Sequence, residues 1–293
     1  MIQNERKCTV RSLCGLFGIS RQGYYKHQEQ KSELDILSSS VVLYCKAVRE
    51  HDNLPKAGCR ELCELCRKHF REKFTMGRDQ FYNLLRSNDL MLRRRRYRPR
   101  TTNSNHNYKL YEDLLNTTPK LRPSRNGELV VSDITYVYVK EGFAYLSLIT
   151  DAFSRYIVGY SLSRTLERNG PLKALEGALK LYKSYGIDTK GLIHHSDRGV
   201  QYASHEYTDM LKANNIRISM TQTGDPLHNA LAERMNNTLK NGWLFNNGEM
   251  DFEQAKAAIN NAIYMYNCAR PHSALGMRTP KEILTGEDSN PLI

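Results

Sequence analysis

The sequence lacks any apolar run long enough to cross a bilayer. Its longest, around Phe143 to Ile149, is far short of the roughly 20 residues a spanning helix needs. The start, MIQNERKC, is polar and leads into no apolar segment, so no secretory signal is expected. No internal repeat is apparent, which argues against solenoids and propellers. The seven cysteines are an odd count for a disulfide framework, and without a signal they point to reduced thiols in a cytoplasm. Acidic residues are scarce in the front of the chain. Residues 1–125 hold 26 Lys/Arg against 13 Asp/Glu, a net of +13, whereas residues 126–293 hold 17 against 18, a net of −1. The whole positive excess of a +12 chain therefore lies at the front. A basic, water-soluble, cytoplasmic protein whose polyanionic partner is nucleic acid is the expectation, with no membrane role.

At 293 residues the chain is long enough for two to three domains. Residues 9–27, TVRSLCGLFGISRQGYYKH, read as helix, tight turn, helix. Val10, Leu13, Cys14 and Phe17 have the spacing of one buried face, Gly18 supplies the turn, and Ser20 is a suitable N-cap. In a helix-turn-helix, Ser20, Arg21, Gln22 and Tyr25 would face DNA; an ordinary helical hairpin is the alternative. A second helical block covers residues 33–92 and contains Cys59, Cys63, Cys66 and His69. Their spacing opposes a zinc site. On one helix Cys59 and Cys66 are separated by roughly 10 Å of rise, whereas two thiolates on one zinc sit within about 4 Å. A shared core stripe is the better reading. Arg93, Arg94, Arg95, Arg96, Arg98 and Arg100 then crowd eight residues, repelling one another unless they are solvated or set against phosphates. Tyr97 and Pro99 interrupt the run and give it the look of a linker lying along a duplex.

From Glu128 the periodicity changes to three β-rich runs, LVVSDITYVYV, FAYLSLITDAF and RYIVGYSLS. A helix over 171–185, a short buried strand GLIHHS, a helix over 205–214 and a strand IRISM follow, then helices over 228–245 and 251–266. This order indicates a mixed sheet flanked by helices. Three acids sit where acids are costly. Asp133 is mid-strand, Asp197 ends an apolar strand, and Glu233 lies on a helix beside the core stripe of Ala232, Met235 and Leu239. Asn229, Asn236, Asn237 and Lys240 share its other face. Buried carboxylates destabilise unless paired or metal-bound. Converging ones suit a hard divalent cation, Mg2+ with Mn2+ as its substitute. Two such ions would activate an attacking oxygen and stabilise the leaving one in phosphoryl displacement. His195-Ser196-Asp197 has protease letters, but strand neighbours point to alternating faces. Of His194 and His195, one is expected to be packed and the other near the site; Arg270 and His272 are structural or DNA-contacting, and the sequence leaves both open.

The motifs carry a resemblance. SDITYV, HHSDRGVQYAS and GDPLHNALAERMNNTLK, with 35 residues between Asp197 and Glu233, resemble the Asp-Asp-Glu core of retroviral-integrase-like transposases. More narrowly, the chain is similar to the second-reading-frame product of insertion sequences of the IS-three type. YNCARPHSALGMRTP and LCGLFGISRQGYYK match that family's closing and opening motifs. Val130 stands where the family often has Trp, and His228 where it commonly has Asp.

The resemblance implies an α/β catalytic domain of RNase H-like (retroviral integrase) fold preceded by an all-α helix-turn-helix region. The expected division is 1–30 helix-turn-helix, 31–92 helical accessory DNA-binding region, 93–124 basic linker, 125–285 catalytic core and 286–293 tail. It also implies metal-dependent cleavage of a DNA end followed by attack of the freed 3′-hydroxyl on another phosphodiester. Asp133, Asp197 and Glu233 would bind two Mg2+ ions, and Asn229, Asn236 and Lys240 would face DNA. The partners would be element ends and target DNA, a second copy of the chain, and an upstream-frame product fused by frameshift. A non-catalytic helix-turn-helix regulator, a relic, or a nuclease that cuts without joining are the alternatives.

Overall fold

The computed structural model describes residues 9–51, 54–92, 108–116, 121–167, 169–222, 230–244 and 250–286. The arginine run at 93–100 and Asn229 lie outside the described residues.

The front is helical: α1 (Val10–Leu16), α2 (Arg21–Glu50), α3 (Cys59–Phe70), a 3-10 turn (Arg71–Lys73) and α4 (Arg78–Ser87). Thr9 caps α1 through the Ser12 N–H, and Ser20 caps α2 through the Gly23 N–H at 3.0 Å. Gly18 makes the turn at φ +66°. Here the structure departs from the sequence reading. The second helix is no short recognition helix but runs 30 residues, straight across the expected boundary at 30/31. Nothing between Lys26 and Glu50 breaks it, because no Gly or Pro occurs there. Within α1 only Cys14 is buried, while Leu13 and Phe17, expected on the buried face, are 42% and 75% exposed. The second half of α2 packs instead, burying Val41, Cys45 and Val48 against Leu62 and Cys66 of α3 and Phe81 and Leu85 of α4. Arg49 pins the loops between them, donating to the Leu90 and Ala57 carbonyls at 2.8 and 2.9 Å.

The rest is a five-stranded mixed sheet in the order β3-β2-β1-β4-β5. Its elements are β1 (Leu129–Val139), β2 (Gly142–Asp151), β3 (Ile157–Ser163), α5 (Asn169–Ser184), β4 (Ile193–Ser196), α6 (Val200–Ala203), α7 (His205–Ala213) and β5 (Arg217–Met220). Then come α8 (Ala230–Leu239), a π-helical turn (Lys240–Leu244), α9 (Phe252–Cys268), a 3-10 turn (Ser273–Leu275) and α10 (Pro280–Thr285). The first three strands meander antiparallel; β4 and β5 then join β1 in parallel. Strand residues alternate between two cores. Val130, Ile149 and Val158 meet Ala174, Leu175 and Ala178 of α5, while Val137, Leu146 and Leu148 meet Met235, Leu239 and Ile259 on the opposite face. That second core is continuous with the one that binds α2, α3 and α4. Among the described residues no helix is long and apolar enough to cross a membrane.

A buried acid not singled out by the sequence reading locks one end of the sheet. Asp151 is fully buried and accepts hydrogen bonds from the Gly127, Phe153 and Ser154 N–H groups, the Ser154 hydroxyl and the Tyr182 hydroxyl. Five donors make this carboxylate structural.

Helix α5 rides so close on β3 that a Cβ at Gly159 would lie 2.1 Å from the Ala174 carbonyl oxygen. Gly159→Ala should therefore cost roughly 2–4 kcal/mol, read as a lower urea midpoint. Gly15→Ala, with nothing within 4 Å of the new methyl, should leave the midpoint unchanged or slightly raised. Equal midpoints for both variants would contradict the close approach.

Candidate active site

Register brings two acids together. β1 and β4 run parallel with Leu129 beside Ile193 and Val131 beside His195, so continuing the register brings Asp133, within β1, level with Asp197 just past the end of β4. Asp133 is half-buried, with its Oδ1 accepting the Ile134 N–H at 2.9 Å and its Oδ2 accepting the Asn236 amide at 2.6 Å. Asp197 accepts the Gly199 N–H at 3.0 Å. Burial, then the repulsion of Asp197 and more weakly of Glu233, push the Asp133 carboxyl up to about 7 against the hydrogen bonds that oppose the rise. An acid so placed is about half protonated near pH 7, in a site that would gain from a cation.

Glu233 shares the field of Asp133 but is exposed on α8. Among the described residues no three His, Cys, Asp or Glu side chains converge tightly enough to hold an ion. The same holds for the cysteine cluster: Cys66 and Cys45 are fully buried with their sulfurs 3.7 Å apart, and His69 stacks on Tyr44 with ring centroids at 4.1 Å. The three acids are thus not gathered into a closed set of ligands, although both Asp197 and Glu233 act on the charge of Asp133. Three like charges repel one another at close range, so gathering them calls for a cation. The donor set is still chemically right for Mg2+, being oxygen alone and carrying a strained anion at Asp133.

Asn236, read from the sequence as facing DNA, is buried and spends its amide on Asp133. Lys240 is half-buried one turn further on, its ammonium lowered by burial and partly restored by the charge of Asp133. Neither lies on a free outer face of α8. Both histidines of β4 are fully buried, although one was expected nearer the site. His194 Nε2 lies 2.7 Å from the Ser132 hydroxyl and 2.8 Å from that of Tyr207, and burial drives its pKa down to about 3. His195 Nδ1 lies 2.8 Å from the Ser219 hydroxyl. These packed rings support the strands and leave the protease letters without chemistry. At the front, Arg21, Gln22 and Tyr25 are exposed, whereas the Ser20 hydroxyl is occupied by its cap.

The acids can be placed beside known proteins. A family model described as integrase core domain matches residues 123–226, and another of the same description matches residues 214–280. The insertion element IS600 31 kDa protein of Shigella sonnei is 32% identical over 270 residues, covering 92% of this chain and 96% of that one. The transposase of IS629 from the same organism is 35% identical over 158 residues, 54% of this chain and 52% of that one. Transposase InsF of IS3A from Escherichia coli (strain K12) is 34% identical over 151 residues, 51% of each chain. The chain thus matches nearly the whole length of the first relative and about half that of the other two. Among solved structures, the HTLV-2 integrase catalytic core domain in complex with magnesium is similar at TM-score 0.43 and 19% identity, covering 55% of this chain and 99% of that one.

The site makes a pH-dependent demand on stability. Well below pH 4, Asp133 is protonated whether the chain is folded or unfolded. Between about 4 and 7 the folded state holds a proton that the unfolded state has released, so stability falls as pH rises through this window. Asp133→Asn should therefore stabilise the metal-free protein by roughly 1–3 kcal/mol at pH 8 and by little at pH 4. Thermal melts in EDTA test this; an equal difference at both pH values would refute the strained acid.

Proposed function

The chain belongs to the family of insertion-sequence transposases with an integrase core, and from that premise we propose that it cuts DNA at the ends of its element and joins them to target DNA. The observation that carries the reading is the charge coupling of Asp133 with Asp197 and Glu233 at the end of the parallel strand pair. A regulator that merely binds DNA has no use for a desolvated acid pair.

Asp133, Asp197 and Glu233 would hold divalent cations, two Mg2+ ions with Mn2+ as a substitute. When bound, these supply charge neutralisation at the scissile phosphate and favour deprotonation of the attacking oxygen. The rest of the chemistry belongs to the protein. Asn236 fixes the Oδ2 of Asp133 and the Gly199 N–H fixes an oxygen of Asp197, so both carboxylates are oriented before substrate arrives. Lys240 adds positive charge beside Asp133 as phosphate enters. Water first attacks the phosphodiester at the element end and frees a 3′-hydroxyl. That hydroxyl then attacks a target phosphodiester in line and displaces its 3′-oxygen, so this second step breaks one phosphodiester as it forms another, and at no point does a bond form between protein and DNA. Ser20, Arg21, Gln22, Tyr25 and the arginines from Arg93 to Arg100 would grip the duplex. The protein would work as a homo-oligomer on two ends, with an upstream-frame fusion as a longer form.

Incubating the protein with labelled element-end duplexes and Mg2+ tests the reaction. Asp133→Asn, Asp197→Asn and Glu233→Gln should each lower end cleavage and strand transfer at least about 100-fold while DNA affinity is kept. Cleavage without any joined product would make it a nuclease. Variants as active as the parent would remove the acids from the chemistry.

A further inference from the structure

The Arg-Pro-His segment near the end of the chain is absorbed neither by the acids nor by the expected DNA grip. Arg270 follows the last turn of α9 and turns away from solvent. Its Nη2 and Nε donate to Oε1 of Glu61 at 2.8 and 3.2 Å, and both side chains are only 18% exposed. The other oxygen of Glu61 accepts the Gly58 N–H at 2.8 Å, closing the first turn of α3. One carboxylate therefore both caps α3 and holds the far end of the chain. The guanidinium also lies over the Trp243 ring, 5.8 Å from its centroid, within the range of a cation–π contact. Trp243 is buried in the π-helical turn that continues α8, and such turns concentrate at functional sites. A second bridge runs parallel, with Lys68 of α3 at 3.8 Å from the buried Glu282 of α10.

The contacts form an unbroken path: α3, Glu61, Arg270, Trp243, α8, Glu233. Leu62 and Cys66 of α3 share one apolar cluster with Leu239, Trp243 and Tyr266. Glu233 stands at the other end of this path, and among the described residues no three acids, Glu233 included, are close enough together to hold an ion. We infer that Arg270 is a positioning residue that couples the helical region to the helix bearing Glu233, so that DNA engagement by the helical region biases where the third acid sits. The inference rests on the transposase reading of the site. A DNA-contacting Arg270 would need its guanidinium free, and it is spent on Glu61.

The chain has one tryptophan, Trp243, at the junction itself. Its fluorescence reports the coupling apart from catalysis, and anisotropy of a labelled duplex bearing the terminal repeat reports binding separately. In the unaltered protein, adding that duplex should shift or quench the Trp243 emission. In Glu61→Gln, which keeps a cap acceptor for Gly58, and in Arg270→Gln, the duplex should bind within about twofold of the parent. The emission response should be lost, and turnover at saturating DNA should fall about tenfold or more. The double variant should be no worse than either single one. An emission in the unaltered protein that ignores bound DNA overturns the coupling, whatever the variants do. Weakened binding with unchanged turnover in Arg270→Gln would make it a DNA contact and also overturns it. Losses that multiply in the double variant would separate the two residues. Failure of the parent to cleave in Mg2+ while Trp243 responds to DNA would instead count against the transposase reading alone.

Discussion

Placing Asp133 inside a sheet, level with a second carboxylate, sets the conditions under which the rest of the catalytic part works. Parallel pairing of β1 with β4 forces the two acids together, because backbone register leaves the side chains no choice of neighbour. The desolvated, like-charged environment then opposes ionisation until charge arrives from outside. Asn236 eases but does not cancel this, since an amide supplies a dipole where a full charge is wanted. The contrast with Asp151 is instructive. That acid is more deeply buried, yet five donors satisfy it. Burial alone does not mark a reactive carboxylate; burial with too few donors and a like-charged neighbour does.

The third acid follows a different logic. Glu233 is carried by a helix whose position is set by packing, and α8 lies in the core that also holds α2, α3 and α4. The helical region is therefore packed into the catalytic part and not merely tethered to it. It forms part of the wall against which the Glu233 helix rests, with two charged bridges, Glu61 to Arg270 and Lys68 to Glu282, at its edge. Arg270 and Glu61 are each only 18% exposed, so losing one partner would leave the other largely desolvated and unpaired.

Much of the strand order was legible because alternation in LVVSDITYVYV and its neighbours is a local signal that burial on both faces does not erase. The three acids stood out for the same reason, each breaking an apolar pattern. The front was less legible. Val10, Leu13, Cys14 and Phe17 have the spacing of a buried face, but spacing cannot say whether a partner surface exists, and α1 has little to pack on. Asn236 carried a local signal, three residues after Glu233, that fitted a DNA-facing residue equally well; only the fold shows it turned toward Asp133. The Glu61–Arg270 pair was beyond reach, since 209 residues separate the partners and neither breaks a local pattern.

If burial and its neighbours keep Asp133 about half protonated at pH 7, then binding a cation must expel a proton. Titrating Mg2+ into the unaltered protein in weakly buffered solution at pH 7 measures this directly. With the carboxyl at about 7, roughly half a proton per chain should be released. The release should vanish by about pH 9, where Asp133 is already ionised, and should be absent from Asp133→Asn at any pH. Proton release that is undiminished in Asp133→Asn, or no release at pH 7 despite Mg2+ binding, would contradict the account.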